Sequence, residues 1–199
     1  MSSKKKIKQA IYTMVFMIII TAICSAGIAY TYQKTLKQIK MNERMFLQKA
    51  VLEAAGILPD NTNTENTALI YDDNVYQEEN NGQPWYVIKN GNYVFPVEGT
   101  GLWGKINGVV GLQDDLKTIT GVSFIKNNET PGLGARITEK WFGSQFKDKQ
   151  GPLTFVAEGS KGGTNQFDGI TGATITTTAV QNMVNNTLKS APELVKVKK

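Results

Sequence analysis

The chain of 199 residues contains no histidine. The commonest general base, the usual proton shuttle and the commonest metal ligand are therefore missing together. Zinc enzymes and hydrolases of the Ser-His or Cys-His kind are excluded on that ground. A single cysteine, Cys24, excludes an internal disulfide framework. It lies in an apolar segment and reads there as a small buried hydrophobe. No G-x-G-x-x-G or Walker-type pattern opens a helix, which argues against the common dinucleotide and ATP sites. A basic core is missing too, although the net charge is +5. Lys4, Lys5, Lys6 and Lys8 supply +4, and the C-terminal lysines 189, 196, 198 and 199 against Glu193 supply +3, leaving −2 for residues 9–188. The basicity belongs to two tails, so a nucleic-acid surface is not expected.

Charge is also absent from Gln9 through Gln33. Such a run exceeds the about 20 residues that a helix needs to cross a bilayer core, and the about 7–15 of a cleavable signal. Tyr12, Tyr30 and Tyr32 stand near its two ends, where aromatic rings prefer the interface. The reading is a basic leader over 1–8, assigned to the cytoplasm, a retained single-pass helix over 9–32 and a main domain outside. Lys34, Lys37, Lys40 and Arg44 follow the span, so charge alone does not fix the orientation.

Leu36, Ile39, Phe46, Leu47, Ala50, Val51 and Ala54 recur at helical spacing, giving a linking helix over 33–58 with Gly56 as its stop. Residues 60–83 are polar and Asn-rich and read as a surface loop; their acids show no calcium-loop pattern. Asn90-Gly91 between β-prone runs signals a hairpin. Residues 105–125 read as strand, Asp114-Asp115 turn, strand, and residues 153–159 as one more strand. Val180, Met183, Val184 and Leu188 share one face of a final helix. The fold class is α+β: one membrane helix, then a domain over 59–190 with an antiparallel sheet and flanking helices, then a basic tail over 191–199.

Two stretches are candidates for chemistry. In "NNETPGLGARI", residues 127–137, a proline and two glycines make a rigid turn with bare backbone. It is either a plain turn or a place where Gly132 and Gly134 let N–H groups approach a flat ligand, with Leu133 against its face. In "DGITGATITTTAV", residues 168–180, five threonines crowd the start of the last helix. They either cap that helix or include an attachment point. Thr174 stands where the Gly172-Ala173 turn enters the helix, and a phosphate there would meet free N–H groups and a favourable dipole. Asp168 would orient the loop or hold a donor's metal ion.

"DGITGAT" resembles the flavinylation motif of membrane-anchored FMN-binding domains, and "ETPGLG" resembles the second signature of that family. The resemblance extends over the N-terminal span, "LQKAVLEAAGI" and "GLWGKINGVVGL", in the family's order. It implies FMN carried on Thr174 by a phosphoester, with Asp168, Thr171, Gly172 and Ala173 completing the motif read by a flavin transferase that takes FMN from FAD. It further implies that Glu129, Thr130, Gly132, Leu133 and Gly134 line the isoalloxazine. Trp103 of "GLWG" is a weaker carry-over that reads equally well as a core aromatic, and Thr176, Thr177 and Thr178 read as filler of the helix start. The family includes subunits of Rnf-type ferredoxin:NAD oxidoreductases and of sodium-pumping NADH:quinone oxidoreductases. The expected function is electron relay among other subunits of a cell-membrane complex of the Rnf type, without a substrate of its own, with the sodium-pumping type as the alternative within the family. Alternatives are an anchored flavoprotein of extracellular electron transfer and a non-redox, pilus-like or binding module.

A retained anchor has a direct consequence. The mature protein should stay in the membrane through an alkaline wash, and protease added outside cells should digest the chain beyond residue 33. Protection in intact cells with digestion in inverted vesicles would reverse the orientation.

Overall fold

The computed structural model describes residues 3–59, 63–80 and 82–196. Two compact units divide the chain, Met1–Arg44 and Met45–Lys199. The first is helical throughout its described length and forms most of helix α1, Ser3–Ala54. Among the described residues α1 is the one helix long and apolar enough to cross a membrane. Its apolar side chains from Ile7 to Ile28, and Cys24 among them, are covered by no other part of the described chain.

The second unit begins inside the expected linking helix. Val51, Leu52 and Ala54 are fully buried, so the end of α1 belongs to the domain core rather than to a connector. Gly56, at φ +71°, ends the helix: its N–H donates to the Glu53 carbonyl at 3.0 Å and the Ile57 N–H to Leu52 at 3.1 Å. A glycine adopts this left-handed cap without the steric penalty of a side chain.

The central sheet has five antiparallel strands in chain order: β1 Val75–Asn80, β2 Gln83–Ile88, β3 Tyr93–Thr100, β4 Lys105–Leu112 and β5 Ile119–Lys126. Both sequence-read hairpins are present, with Val87 opposite Tyr93 across Asn90-Gly91 and Leu112 opposite Ile119 across the Asp114-Asp115 turn. The polar stretch read as a loop instead holds helix α2, Thr64–Asn74, and strand β1. The Asn63 side chain caps α2 by accepting the Asn66 N–H at 2.9 Å, and Thr67 is the buried residue of that helix. An element that buries so little carries almost no apolar period, which is why its composition hid it.

Each face of the sheet is covered. On one, Ala50, Val51, Leu52 and Ala55 of the α1 end pack with Val75, Tyr86, Ile88, Val94 and Val109. On the other, helix α4, Thr174–Lys196, packs with Phe95, Ile106 and Val110 and with the aromatic group Phe142, Phe146 and Phe167. Helix α3, Lys140–Ser144, and a short parallel pair, β6 Thr154–Val156 and β7 Gln166–Asp168, complete this side. β6 lies within the strand read over 153–159, whereas β7 and its parallel pairing, three residues long in each strand, were not foreseen. The expected tail over 191–199 is helical as far as Lys196, because Ala191 is fully buried and Leu194 and Val195 pack on the core beyond Pro192. Residues 197–199 lie outside the described residues.

The α1 end touches the sheet where glycine permits it. A methyl on Gly111 would overlap the Ala54 carbonyl oxygen and the Thr120 hydroxyl, and Thr120 Oγ1 donates to that same carbonyl at 2.6 Å. Gly111→Ala should therefore destabilise the domain by about 1–3 kcal/mol, the usual cost of overpacking. Chemical denaturation of the full chain measures it, and an unchanged midpoint would show that the helix end is not held so closely.

Candidate functional site

The turn that feeds α4 is held from four directions. Gly172 at φ +77° reverses the chain between β7 and the helix. Thr177, fully buried, accepts the Ile170 N–H at 3.2 Å and donates to the Ala173 carbonyl at 3.0 Å, closing the turn on itself. Glu158 accepts the Thr171 N–H at 2.8 Å. Arg136 holds Glu158 with two guanidinium bonds, at 2.7 and 3.2 Å, and rests 5.2 Å from the Trp141 ring centroid. Those guanidinium bonds, followed by the bonds from Thr171, hold the Glu158 carboxyl at a pKa of about 2. Gln145 grips the backbone of Asp168 on both sides, accepting its N–H at 2.7 Å and donating to its carbonyl at 2.9 Å.

Asp168 orients a loop. Its carboxylate accepts N–H groups from Gly159 at 2.9 Å, Lys161 at 3.3 Å and Gly162 at 3.1 Å. These three bonds fold residues 159–162 back over the end of β7.

The five threonines have different surroundings. Thr176 and Thr177 are buried, and their hydroxyls are committed to Glu129 and to the turn. Thr178 is exposed and donates to the Thr174 carbonyl at 2.8 Å. Thr171 is exposed over Glu158. Thr174 is exposed at the first position of α4. It borders a cleft of about 280 Å³ with Phe155, Glu158, Ile170 and Gly172. The expectation that threonines cap this helix does not hold: Ala173, the residue before α4, accepts the Thr177 N–H at 2.9 Å and so stands at the capping position. Alanine offers no side-chain acceptor to the first-turn N–H groups.

The second stretch meets the first. Leu133, 43% exposed, lies so close to Gly172 that a methyl there would stand 3.1 Å from its Cδ2. Thr130 and Gly132 are exposed, and Gly132, at φ +75°, faces open space. Glu129 and Gly134 lie beneath them, buried. Glu129 accepts the Trp103 N–H on Oε1 at 3.0 Å and the Thr176 hydroxyl on Oε2 at 2.5 Å. Bare glycines at 101 and 134 make room for it, since a methyl on either would stand within 2.7 Å of a carboxylate oxygen. Glu129 is thus a joint between three segments, and Gly134 serves packing rather than access. Trp103 is 67% exposed, which excludes its reading as a core aromatic.

All eleven residues singled out from the sequence are placed around the start of α4 or on segments bonded to it. Sequence reasoning missed Gln145, Glu158 and Arg136. Arg136 stands two residues beyond the second signature, and a charged residue there was a signal for a partner; Gln145 and Glu158 stand in stretches without one.

An exposed hydroxyl, an uncapped helix start and exposed apolar side chains at Leu133, Trp103 and Ile175 suit a phosphate with a flat aromatic ring system. The model of the FMN-binding domain family matches residues 101–189. Fold and site thus define an FMN-binding domain behind an apolar N-terminal helix. The chain is 35% identical over 94% of its length to the G subunit of an ion-translocating oxidoreductase complex from Methanosarcina acetivorans, of which it covers 95%. With the G subunit of a proton-translocating ferredoxin:NAD(+) oxidoreductase complex from Clostridium ljungdahlii it shares 36% identity over 61% of this chain and 66% of that one. The solved C subunit of a Na(+)-translocating NADH-quinone reductase from Parabacteroides distasonis has the same fold, with TM-score 0.64 and 23% identity over 77% of this chain and 93% of that one. The chain belongs to the family of G subunits of ion-translocating oxidoreductase complexes.

The Glu129 joint can be tested alone. Glu129→Ala leaves the Trp103 N–H and the Thr176 hydroxyl without their acceptor and should cost about 1–3 kcal/mol. Glu129→Gln keeps an oxygen for Trp103 and offers an N–H to Thr176, so it should recover most of that loss. Denaturation midpoints read both, and an alanine variant as stable as the parent would show that the joint holds nothing.

Proposed function

We propose that this protein carries FMN as a phosphoester on Thr174 and relays electrons between partner subunits of a membrane-bound, redox-driven ion-translocating complex of the Rnf type. The observation that carries the reading is the exposed Thr174 hydroxyl on an uncapped first helical turn. FMN, when bound, supplies the electron-accepting and electron-donating chemistry. The chain supplies the rest. Thr174 gives the ester oxygen, and the first-turn N–H groups and the helix dipole stabilise the negative charge that the phosphate keeps. Gly172, exposed and without a side chain, leaves the hydroxyl open to a flavin transferase using FAD as donor. Leu133 and Trp103 offer apolar surface to the ring, and Thr130 and Gly132 offer backbone at the same rim.

A relay of electrons requires no protein acid or base, which agrees with the lack of histidine. The match along nearly the whole of a G subunit favours the Rnf type over the sodium-pumping type. Helix α1 anchors the protein with its N-terminus in the cytoplasm and the domain outside, where covalent attachment prevents loss of the cofactor. Other integral and peripheral subunits donate and accept the electrons.

Thr174→Ala should abolish flavin fluorescence of the denatured band while the protein still folds and inserts. The exposed hydroxyl makes no bond within the described chain, and such surface changes stay within about 0.5 kcal/mol. Thr176→Ala and Thr177→Ala should keep the flavin, and Thr174→Ser should be labelled in part. Flavin retained by Thr174→Ala would sink the assignment, and peptide mapping that finds it on Thr171 would move it.

A further inference from the structure

Beyond the apolar run of α1 the charge is almost of one sign. Lys34, Lys37, Lys40 and Arg44 are exposed, and Glu43 is the one acid between residues 33 and 48. At about 100° per residue the four cations fall within about 120° of the helix circumference. Leu36, Ile39 and Glu43 occupy the remaining arc. None of the four pairs with an acid among the described residues. The Lys34 ammonium lies 5.7 Å from the centroid of the Tyr30 ring, at the end of the uncharged segment.

Depth along the axis suggests the ligand. A headgroup layer is about 5–8 Å thick on each side of the hydrocarbon. With about 1.5 Å of rise per residue, Lys34 and Lys37 stand about 3 and 8 Å beyond Tyr32. The side chain of Lys40 reaches back toward that layer, and Arg44, about 18 Å beyond Tyr32 along the axis, comes within a screening length of about 8 Å of it only through its long side chain directed back toward the N-terminus. Cations at this end also weaken the positive-inside bias set by the leader, an effect that calls for a compensating use.

We propose that Lys34, Lys37, Lys40 and Arg44 form a binding stripe for anionic phospholipid headgroups in the leaflet at the C-terminal end of the span. Confinement to one arc distinguishes this from a simple charged collar. A collar sets the depth of a helix, whereas a stripe also sets its rotation about its own axis. The proposal rests on α1 crossing the bilayer and is independent of the flavin.

The test uses the full chain in nanodiscs of equal phosphatidylglycerol and phosphatidylcholine, with retained lipids counted by native mass spectrometry. Each cation near an anionic surface is worth about a fivefold preference, so the ratio of retained phosphatidylglycerol to phosphatidylcholine should rise from one to about five or more. Replacing the four residues by glutamine should return the ratio to bulk, and raising the salt should lower it. The same replacement of Lys4, Lys5, Lys6 and Lys8 should leave most of the excess. Retention through an alkaline wash shows separately whether the chain is inserted. A bulk ratio in the parent protein, or an excess unchanged in the stripe variant, would overturn the proposal. So would an excess that disappears only with the leader substitutions.

Discussion

The Glu129 carboxylate is the constraint on which the arrangement of the site depends. It is a buried carboxylate whose two oxygens each accept one hydrogen bond, from segments 26 and 47 residues distant in sequence. Removing water from a carboxylate is costly, so the fold must supply both donors and the space around them. Glycines at 101 and 134 supply the space, the Trp103 turn supplies an N–H and α4 supplies the Thr176 hydroxyl. Because the donors come from separate elements, satisfying one carboxylate fixes the start of α4 against both the Trp103 turn and the Leu133 loop. A neutral, apolar contact would tolerate sliding; two charge-assisted hydrogen bonds do not.

A second carboxylate performs the same task on the opposite side. Glu158, held by Arg136, takes the Thr171 N–H, while Gln145 holds Asp168 by its backbone. The turn that leads into α4 is thereby gripped before and after Gly172 by side chains from other segments. The glycine keeps its left-handed conformation and stays bare, and the turn need not rely on local propensity for rigidity. Rigid presentation of one hydroxyl is what an external enzyme acting on a folded protein would require.

Much of this was legible in the sequence, because the signals were local. The hairpins announced themselves through Asn90-Gly91 and Asp114-Asp115, α4 through the spacing of Val180, Met183 and Val184, and the anchor through the missing charge. The proposal for Thr174 rests on the resemblance of "DGITGAT" together with its exposed place at the first position of α4. What stayed hidden depended on distance in space. Nothing in residues 60–83 marks α2 or β1, since α2 buries only Thr67 and owes its start to the Asn63 cap. Gln145 and Glu158 act through bonds to segments 23 and 13 residues away, so no window around either would show them. Glu129 was singled out from the sequence as a ring-lining residue, whereas its burial gives it the role of a joint beneath the exposed Thr130 and Gly132.

The threonine cluster divides into buried positions whose hydroxyls are committed to internal bonds and exposed ones. Thr176 and Thr177 have hydroxyls spent on internal bonds and no exposure, so neither can be esterified without breaking the turn. Thr178 points its hydroxyl back at the Thr174 carbonyl. What remains at the head of the helix is Thr174, preceded by alanine, the residue type that caps worst. A serine, aspartate or asparagine at position 173 would stabilise α4 by about 1 kcal/mol. It would also occupy the N–H groups that an esterified phosphate would use. Val180 and Val184, fully buried on the sheet, hold the helix without a cap. The uncapped start is therefore stability given up at the position where a bound anion would restore it.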